Sequence, residues 1–222
     1  MDDGVTRGSA AGRRSPDSAE PPRRRASSRG GIEVVLQSAI SNFARVGYHG
    51  TSMRDIAGDA GMTVATIYHH FASKQEILQA IMAATLRDVI ALTRRALVHA
   101  GGSPAEQLTA LVSAWILFHT DRQAEALIGA SELRSLDTAG RRLIVALRDE
   151  QEAMFRDVIE HGTQRGEFLT PYPVEAARAI INMGYSVAAW YRAGAGVTPA
   201  EMAARYCELA LGVVRGPRTP TP

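Results

Sequence analysis

Residues 51–76, TSMRDIAGDAGMTVATIYHHFASKQE, divide into two short helical stretches around a glycine. Ile56, Ala57 and Ala60 supply the apolar face of the first stretch. Gly61 provides the left-handed residue that a tight turn between helices requires. Thr63 stands where it can cap the second stretch, whose inner face reads Val64, Ile67, Tyr68 and Phe71. Ala65, Thr66 and His69 then point outward. Their side chains are short near the N-terminal end, which lets such a helix sit deep in a DNA major groove. Ala60 allows close approach of the two helices, whereas Gly58 costs about 1 kcal/mol relative to Ala. Ser52 with Asp55 has the spacing of a capping box, and Ser73 with Glu76 is a complete one.

The helical reading extends in both directions. Ile32, Val35, Leu36, Ala39, Ile40, Phe43 and Ala44 recur at the spacing of one helix face, and Gly47 and Gly50 end that run. Further starts are marked by Ser103 with Glu106 behind Pro104, and by Thr198 with Glu201 behind Pro199. Stops fall at Gly101-Gly102, Gly166 and Gly194–Gly196. About nine helices are predicted, near 32–46, 53–60, 64–70, 74–99, 104–120, 123–134, 138–165, 173–192 and 199–214. No stretch sustains the period-2 alternation of a strand, so the fold class is all-α.

Charge is unevenly distributed along the 222 residues. Residues 1–31 carry seven arginines against four acids, a net of +3, and the remainder nets −1. This N-terminal segment has too little apolar surface to offset chain entropy and reads as a disordered Arg-rich tail; residues 215–222 read as a second tail. It is either a solvated tail or an arm that lies along DNA phosphate or in a minor groove. No apolar stretch follows Arg23-Arg24-Arg25, which argues against an export signal, and no run is long enough to span a membrane; the expected location is cytoplasmic. The single cysteine, Cys207, rules out an intrachain disulfide and a Cys-based zinc site.

Across 32–78 the chain resembles the DNA-binding domain of TetR-family transcriptional regulators. The likeness rests on Ala39, Phe43, Gly47, Tyr48, Thr51, Ser52, Ile56, Ala57, Ala60, Gly61, Thr66, Tyr68, His69, Phe71, Lys74 and Leu78. It implies a phosphate contact at Thr51 or Ser52, base-edge contacts at Thr63, Ala65 and Thr66, backbone contacts at Tyr68 and His69, and a phosphate contact at Lys74. Arg54 is a further candidate on charge alone. Residues 32–78 hold three basic groups and four acidic ones, so hydroxyls and helix dipoles must supply much of the attraction for phosphate.

The resemblance further implies a helical ligand-binding and dimerisation domain over 79–214, with helices 173–192 and 199–214 pairing with their copies in a homodimer. Small residues there (Ala176, Ala177, Ala179, Gly184, Ala188, Ala203, Ala204, Ala210 and Gly212) would permit close approach. Pocket candidates are Trp115, Phe118, Phe155, Met183, Tyr185 and Trp190, with His119 and Asn182 as polar groups on otherwise apolar helices. An apolar cavity is expected between helices 104–120, 138–165 and 173–192, with Arg148 or Arg192 for a ligand's charged head. The segment Trp190-Tyr191-Arg192-Ala193-Gly194 resembles a Trp-Tyr-Arg-Pro-Gly segment of a TetR subgroup that regulates lipid and aromatic-acid breakdown, some members of which respond to acyl-CoA thioesters; here Ala193 replaces the proline.

The expected partners are therefore double-stranded operator DNA, a second copy of the chain and a small-molecule effector, with no cofactor and no metal. An enzyme would need a catalytic constellation that the sequence lacks: Cys207 has no histidine near it, and Asp157 with His161 lacks the partner motif of a di-metal site. A constitutive architectural DNA binder without a ligand is the other class consistent with the motif.

Overall fold

The computed structural model describes residues 28–215. Predicted tail residues 1–27 and 216–222 lie outside the described residues. The elements are α1 (Ser28–Gly50), α2 (Met53–Asp59), α3 (Val64–His70), α4 (Lys74–His99), α5 (Pro104–Asp121), α6 (Gln123–Ser131), a 3-10 turn (Glu132–Ser135), α7 (Thr138–Gln164), α8 (Pro173–Trp190) and α9 (Pro199–Val214). Among the described residues there is no strand, and no helix is long and apolar enough to cross a membrane.

Among the boundaries that differ from the sequence reading, three have a local reason. Helix α1 starts at Ser28, four residues inside the predicted tail; Gly31 is buried, and a Cβ on it would lie 3.5 Å from the His70 imidazole. The sixth helix stops at Ser131, whose hydroxyl bonds back to the Leu127 carbonyl, and the chain tightens to 3-10 geometry. Helix α8 stops at Trp190 because Tyr191 is extended, with its hydroxyl donating to the Val197 carbonyl and its carbonyl accepting from Gln123.

The chain forms two apolar cores. One gathers Val35, Ala39 and Phe43 of α1, Ile56 and Ala57 of α2, Ile67 of α3 and Phe71 around Ile77, Leu78, Ile81 and Met82 of α4. It continues into Ile128 of α6 and Ile144 of α7. The other centres on Trp115 of α5, Phe155 of α7 and Ile180 of α8, with Met202, Ala203 and Ala210 of α9. Helix α4 runs through both regions, so the predicted division at 78 falls inside a continuous helix. Buried polar groups fix α1 on α2: Ser38 donates to the Ile56 carbonyl (2.9 Å), and Asn42 donates to the Asp59 carboxylate (2.6 Å).

Candidate functional site

The turn between α2 and α3 forms as its chemistry requires. Gly61 adopts φ 63°, Thr63 caps α3 by accepting from the Thr66 amide (3.1 Å), and its hydroxyl pairs with the Thr66 hydroxyl (2.8 Å). Ala65, Thr66, Tyr68 and His69 are all exposed on α3, while Ile67 is buried. Tyr68 is 52% exposed, which moves it from the predicted inner face to the outer one. The result is a short helix whose free face carries the Ala65 methyl, the Thr66 and Tyr68 hydroxyls and the His69 imidazole.

Two residues expected at phosphates have other duties. Thr51 is buried, and its hydroxyl donates to the Gly47 carbonyl (2.9 Å), where it closes the end of α1. Lys74 directs its ammonium onto the carbonyls of Tyr48 (2.7 Å) and Thr51 (2.6 Å), and sits 4.4 Å from the centre of the Tyr48 ring. With two of its three protons so engaged, Lys74 is first a clamp between α4 and the α1–α2 loop. Burial lowers its pKa, opposed by the carboxylates of Asp55 and Glu132. Ser52 is exposed and completes a capping box with Asp55, whose own pKa is lowered by bonds from the Ser52 hydroxyl and amide. Arg54 is exposed on α2.

The second group of residues lies in the C-terminal core. His119 is 1% exposed and bonds through Nδ1 to the Trp115 carbonyl (2.7 Å). A carbonyl can only accept, so Nδ1 carries the proton and Nε2 presents a lone pair. Burial lowers the His119 pKa to about 4, so the ring is neutral at pH 7. Trp115 and Tyr185 pack against it at centroid distances of 4.2 and 5.3 Å. Phe118, one of the pocket candidates, and Met82, Thr85, Leu86, Val89, Gly129 and Arg148 form the rest of the wall of a void of about 20 Å³, room for about one water. The Arg148 guanidinium donates to the Gly129 carbonyl at the end of α6. One turn further along α7, Gln151 is buried with Nε2 lacking a partner among the described residues, although its Oε1 accepts from Thr93 (3.2 Å).

This arrangement corrects the expected cavity in size and in lining. Phe155 packs on Trp115 (6.0 Å between centroids), and Met183 is half-buried against the same core. Asn182 and Trp190 are exposed, the latter by 49%, and so lie on the outer surface of α8. Arg192 is exposed and folds onto the Tyr191 carbonyl (2.9 Å). A larger space, about 640 Å³, opens instead as a surface groove between α4 and α5, floored by Leu92, Ala114, Leu117 and Phe118. Arg122 at its rim is already paired with Asp88 (2.7 Å) and Glu125 (3.0 Å). Among the described residues no cluster of three or more metal-ligating side chains is present.

The model for bacterial regulatory proteins of the tetR family matches residues 35–81, and the model for the tetracyclin repressor-like C-terminal domain matches residues 101–214. The chain belongs to the TetR family. A TetR-family regulatory protein from Rhodococcus RHA1 superposes with a TM-score of 0.78 at 31% identity, covering 83% of this chain and 96% of that one. The HTH-type transcriptional repressor KstR2 of Mycobacterium tuberculosis is 29% identical over 180 residues, 80% of this chain and 90% of KstR2. AibR, solved with isovaleryl coenzyme A and operator DNA, shares the fold (TM-score 0.75, 24% identity, 81% and 97% covered). This TetR-family chain is accordingly a DNA-binding transcriptional regulator and not an enzyme.

Within that TetR frame, the sequence reading missed Gln151 and the Arg148–Gly129 bond. Gln151 is flanked by charged residues in a polar stretch, and only the packing of α7 on α4 shows it to be buried. It also missed the contact between domains at the 3-10 turn, where the Ser135 hydroxyl lies 3.3 Å from His49 Nε2.

Proposed function

We propose that this regulator is a cytoplasmic homodimeric repressor that holds a palindromic operator through α3 and releases it when a small amphipathic ligand enters the C-terminal core. DNA binding through α3 is supported by its exposed face of Ala65, Thr66, Tyr68 and His69 beside the exposed cap Ser52. Repression is supported by the repressor relatives. Dimerisation is supported by the outer faces of α8 and α9, which leave Trp190, Leu209 (55%) and Val213 (38%) exposed beside Ala189, Ala204 and Gly212. Half-sites one helical turn apart put the two recognition helices about 34–36 Å apart, so a displacement of a few ångströms loses one of them.

The observation that carries the ligand is a void of about 20 Å³ lined by His119 and Arg148, with the unpartnered Gln151 amide one turn further along α7. A bundle meant only to be packed has no use for an unpartnered buried amide, a neutral histidine lone pair and an inward arginine within one core. An acyl-CoA or carboxylic acid matches that inventory: an apolar body, with a carbonyl or carboxylate for Arg148 and Gln151. The ligand must open the core, because about 20 Å³ admits no such molecule. The same small volume favours the second reading, a constitutive architectural binder.

A thermal-shift screen of acyl-CoA thioesters, fatty acids and aromatic acids, followed by operator release, separates the two. The repressor reading expects at least one compound that raises Tm and also releases DNA. A panel that changes neither Tm nor DNA affinity favours the constitutive binder.

A further inference from the structure

Four polar side chains from four helices meet at the void in the C-terminal core: Thr85 of α4, His119 of α5, Arg148 of α7 and Tyr185 of α8. The indole N–H of Trp115, which also lines it, is already given to the Ile181 carbonyl. Among the described residues the Thr85 and Tyr185 hydroxyls make no hydrogen bond. Arg148 gives one guanidinium nitrogen to the Gly129 carbonyl, which leaves N–H groups on the others. Burial raises the Tyr185 pKa, and the Arg148 charge opposes that rise, which sets the guanidinium near the phenol.

His119 differs from the other three. A hydroxyl can turn to donate or accept, and a guanidinium only donates. His119 has given its Nδ1 proton to the Trp115 carbonyl, so its remaining nitrogen only accepts. Burial keeps the ring from taking up a second proton at pH 7. Neither hydroxyl of the wall reaches Nε2.

An occupant that satisfies this set brings a proton to His119 and a lone pair to Arg148. A carboxylate or a thioester carbonyl brings lone pairs alone. A hydroxyl brings both, and a space of about 20 Å³ matches its size. One water suits the same set, so a ligand hydroxyl can take a water's place without loss of bonds.

We propose that the effector of this regulator carries a hydroxyl group that enters the void, donates to His119 Nε2 and accepts from Arg148. His119 then selects hydroxylated acids or acyl thioesters over their unsubstituted parents. The ligand's carbonyl or carboxylate takes other N–H groups of Arg148. The inference rests on the effector reading above and narrows its ligand class.

The test is isothermal titration calorimetry of the full-length chain at about pH 7.5, where His119 is neutral. Three series serve as probes, built on phenylpropanoate, decanoate and decanoyl-CoA. Each contains the unsubstituted parent, its β-hydroxy and terminal-hydroxy forms, and the matching methyl ethers. At least one hydroxylated compound should bind about tenfold more tightly than both its parent and its ether, because an ether accepts but cannot donate. His119→Leu, with its fold checked by Tm, should shrink that preference below about threefold. Equal binding of parent, alcohol and ether overturns the proposal and leaves the effector reading standing. A tenfold preference retained by folded His119→Leu also overturns it, since the hydroxyl is then read elsewhere. Should His119→Leu fail to fold, the comparison of alcohol with ether on the unaltered chain decides alone. No binding in any series overturns the effector reading, and the inference falls with it.

Discussion

The α2–α3 unit and the core around His119 solve opposite problems with the same residue types. In the first, hydroxyls and an imidazole stand outward on a helix whose caps are near neighbours, Thr63 on Thr66 and Ser52 on Asp55, while Lys74 holds the α1–α2 loop from 23 residues away. In the second, His119 and Gln151 are buried and Arg148 is half-buried; His119 bonds within its own helix, whereas Arg148 and Gln151 reach distant segments at Gly129 and Thr93. A surface whose caps are satisfied locally presents a defined outward face to a ligand as large as a duplex. A core with an unpartnered amide is packed but not electrostatically satisfied, and so has a reason to rearrange.

The largest effect should come from the crowded side of that core. A Cβ on Gly184 would lie 2.0 Å from Trp115 Nε1, which donates to the Ile181 carbonyl (3.1 Å). Gly184→Ala should therefore displace the indole and cost about 4 kcal/mol, measured by urea unfolding. A loss under about 1 kcal/mol would show that the core yields easily, which would blur the contrast with the locally capped N-terminal unit.

Next in size is a pH effect. His119 is neutral in the folded protein because its pKa is lowered to about 4. In the unfolded chain it titrates near 6.5, so the unfolded state binds more protons between these values. The stabilisation is complete above about pH 6.5 and is lost as pH falls toward 4, amounting to about 3 kcal/mol. The caps at Asp55, Glu106 and Glu201 also have lowered pKa values, but as acids they lose their contribution only as pH falls through and below the carboxylate range. His119→Gln should flatten the dependence of Tm on pH between about 6.5 and 4; an unchanged profile would remove His119 as its source.

A smaller effect tests the N-terminal unit. Lys74→Met should cost about 1–2 kcal/mol of stability, because it removes charged bonds to Tyr48 and Thr51. A pure phosphate contact would leave Tm unchanged and lower only the salt slope of DNA binding, by about one. Chemical unfolding and a salt titration on the same variant distinguish the clamp from the contact.

Legibility followed the range of the bonds. Ser52, Thr63, Ser103 and Thr198 were readable as caps because cap and partner are three residues apart. Helices α3, α4 and α9 took their predicted bounds for the same reason. Asn182 was misplaced although the signal was present: with Glu175, Arg178, Ser186 and Ala189 it forms an exposed stripe opposite Ala177, Ile180, Gly184 and Val187. Its neighbours Ile180 and Ile181 suggested burial only when the period was ignored. Of the small residues assigned to a dimer interface, Ala176, Ala177, Gly184, Ala188, Ala203 and Ala210 are buried within the chain, which leaves Ala179, Ala204 and Gly212 on its surface. Lys74 and Gln151 were not readable in detail, since their partners lie 23 and 58 residues away.

The account stands on α3 as the surface that meets DNA, and Ala65 is the position that tests it most directly. The residue is exposed, makes no side-chain bond and lies at the N-terminal level of α3. Ala65→Glu should leave Tm within about 2 °C of the unaltered protein while abolishing duplex binding, because it sets a carboxylate against base edges and phosphates. Retention of full affinity by a folded Ala65→Glu protein would contradict the docking of α3 in the groove.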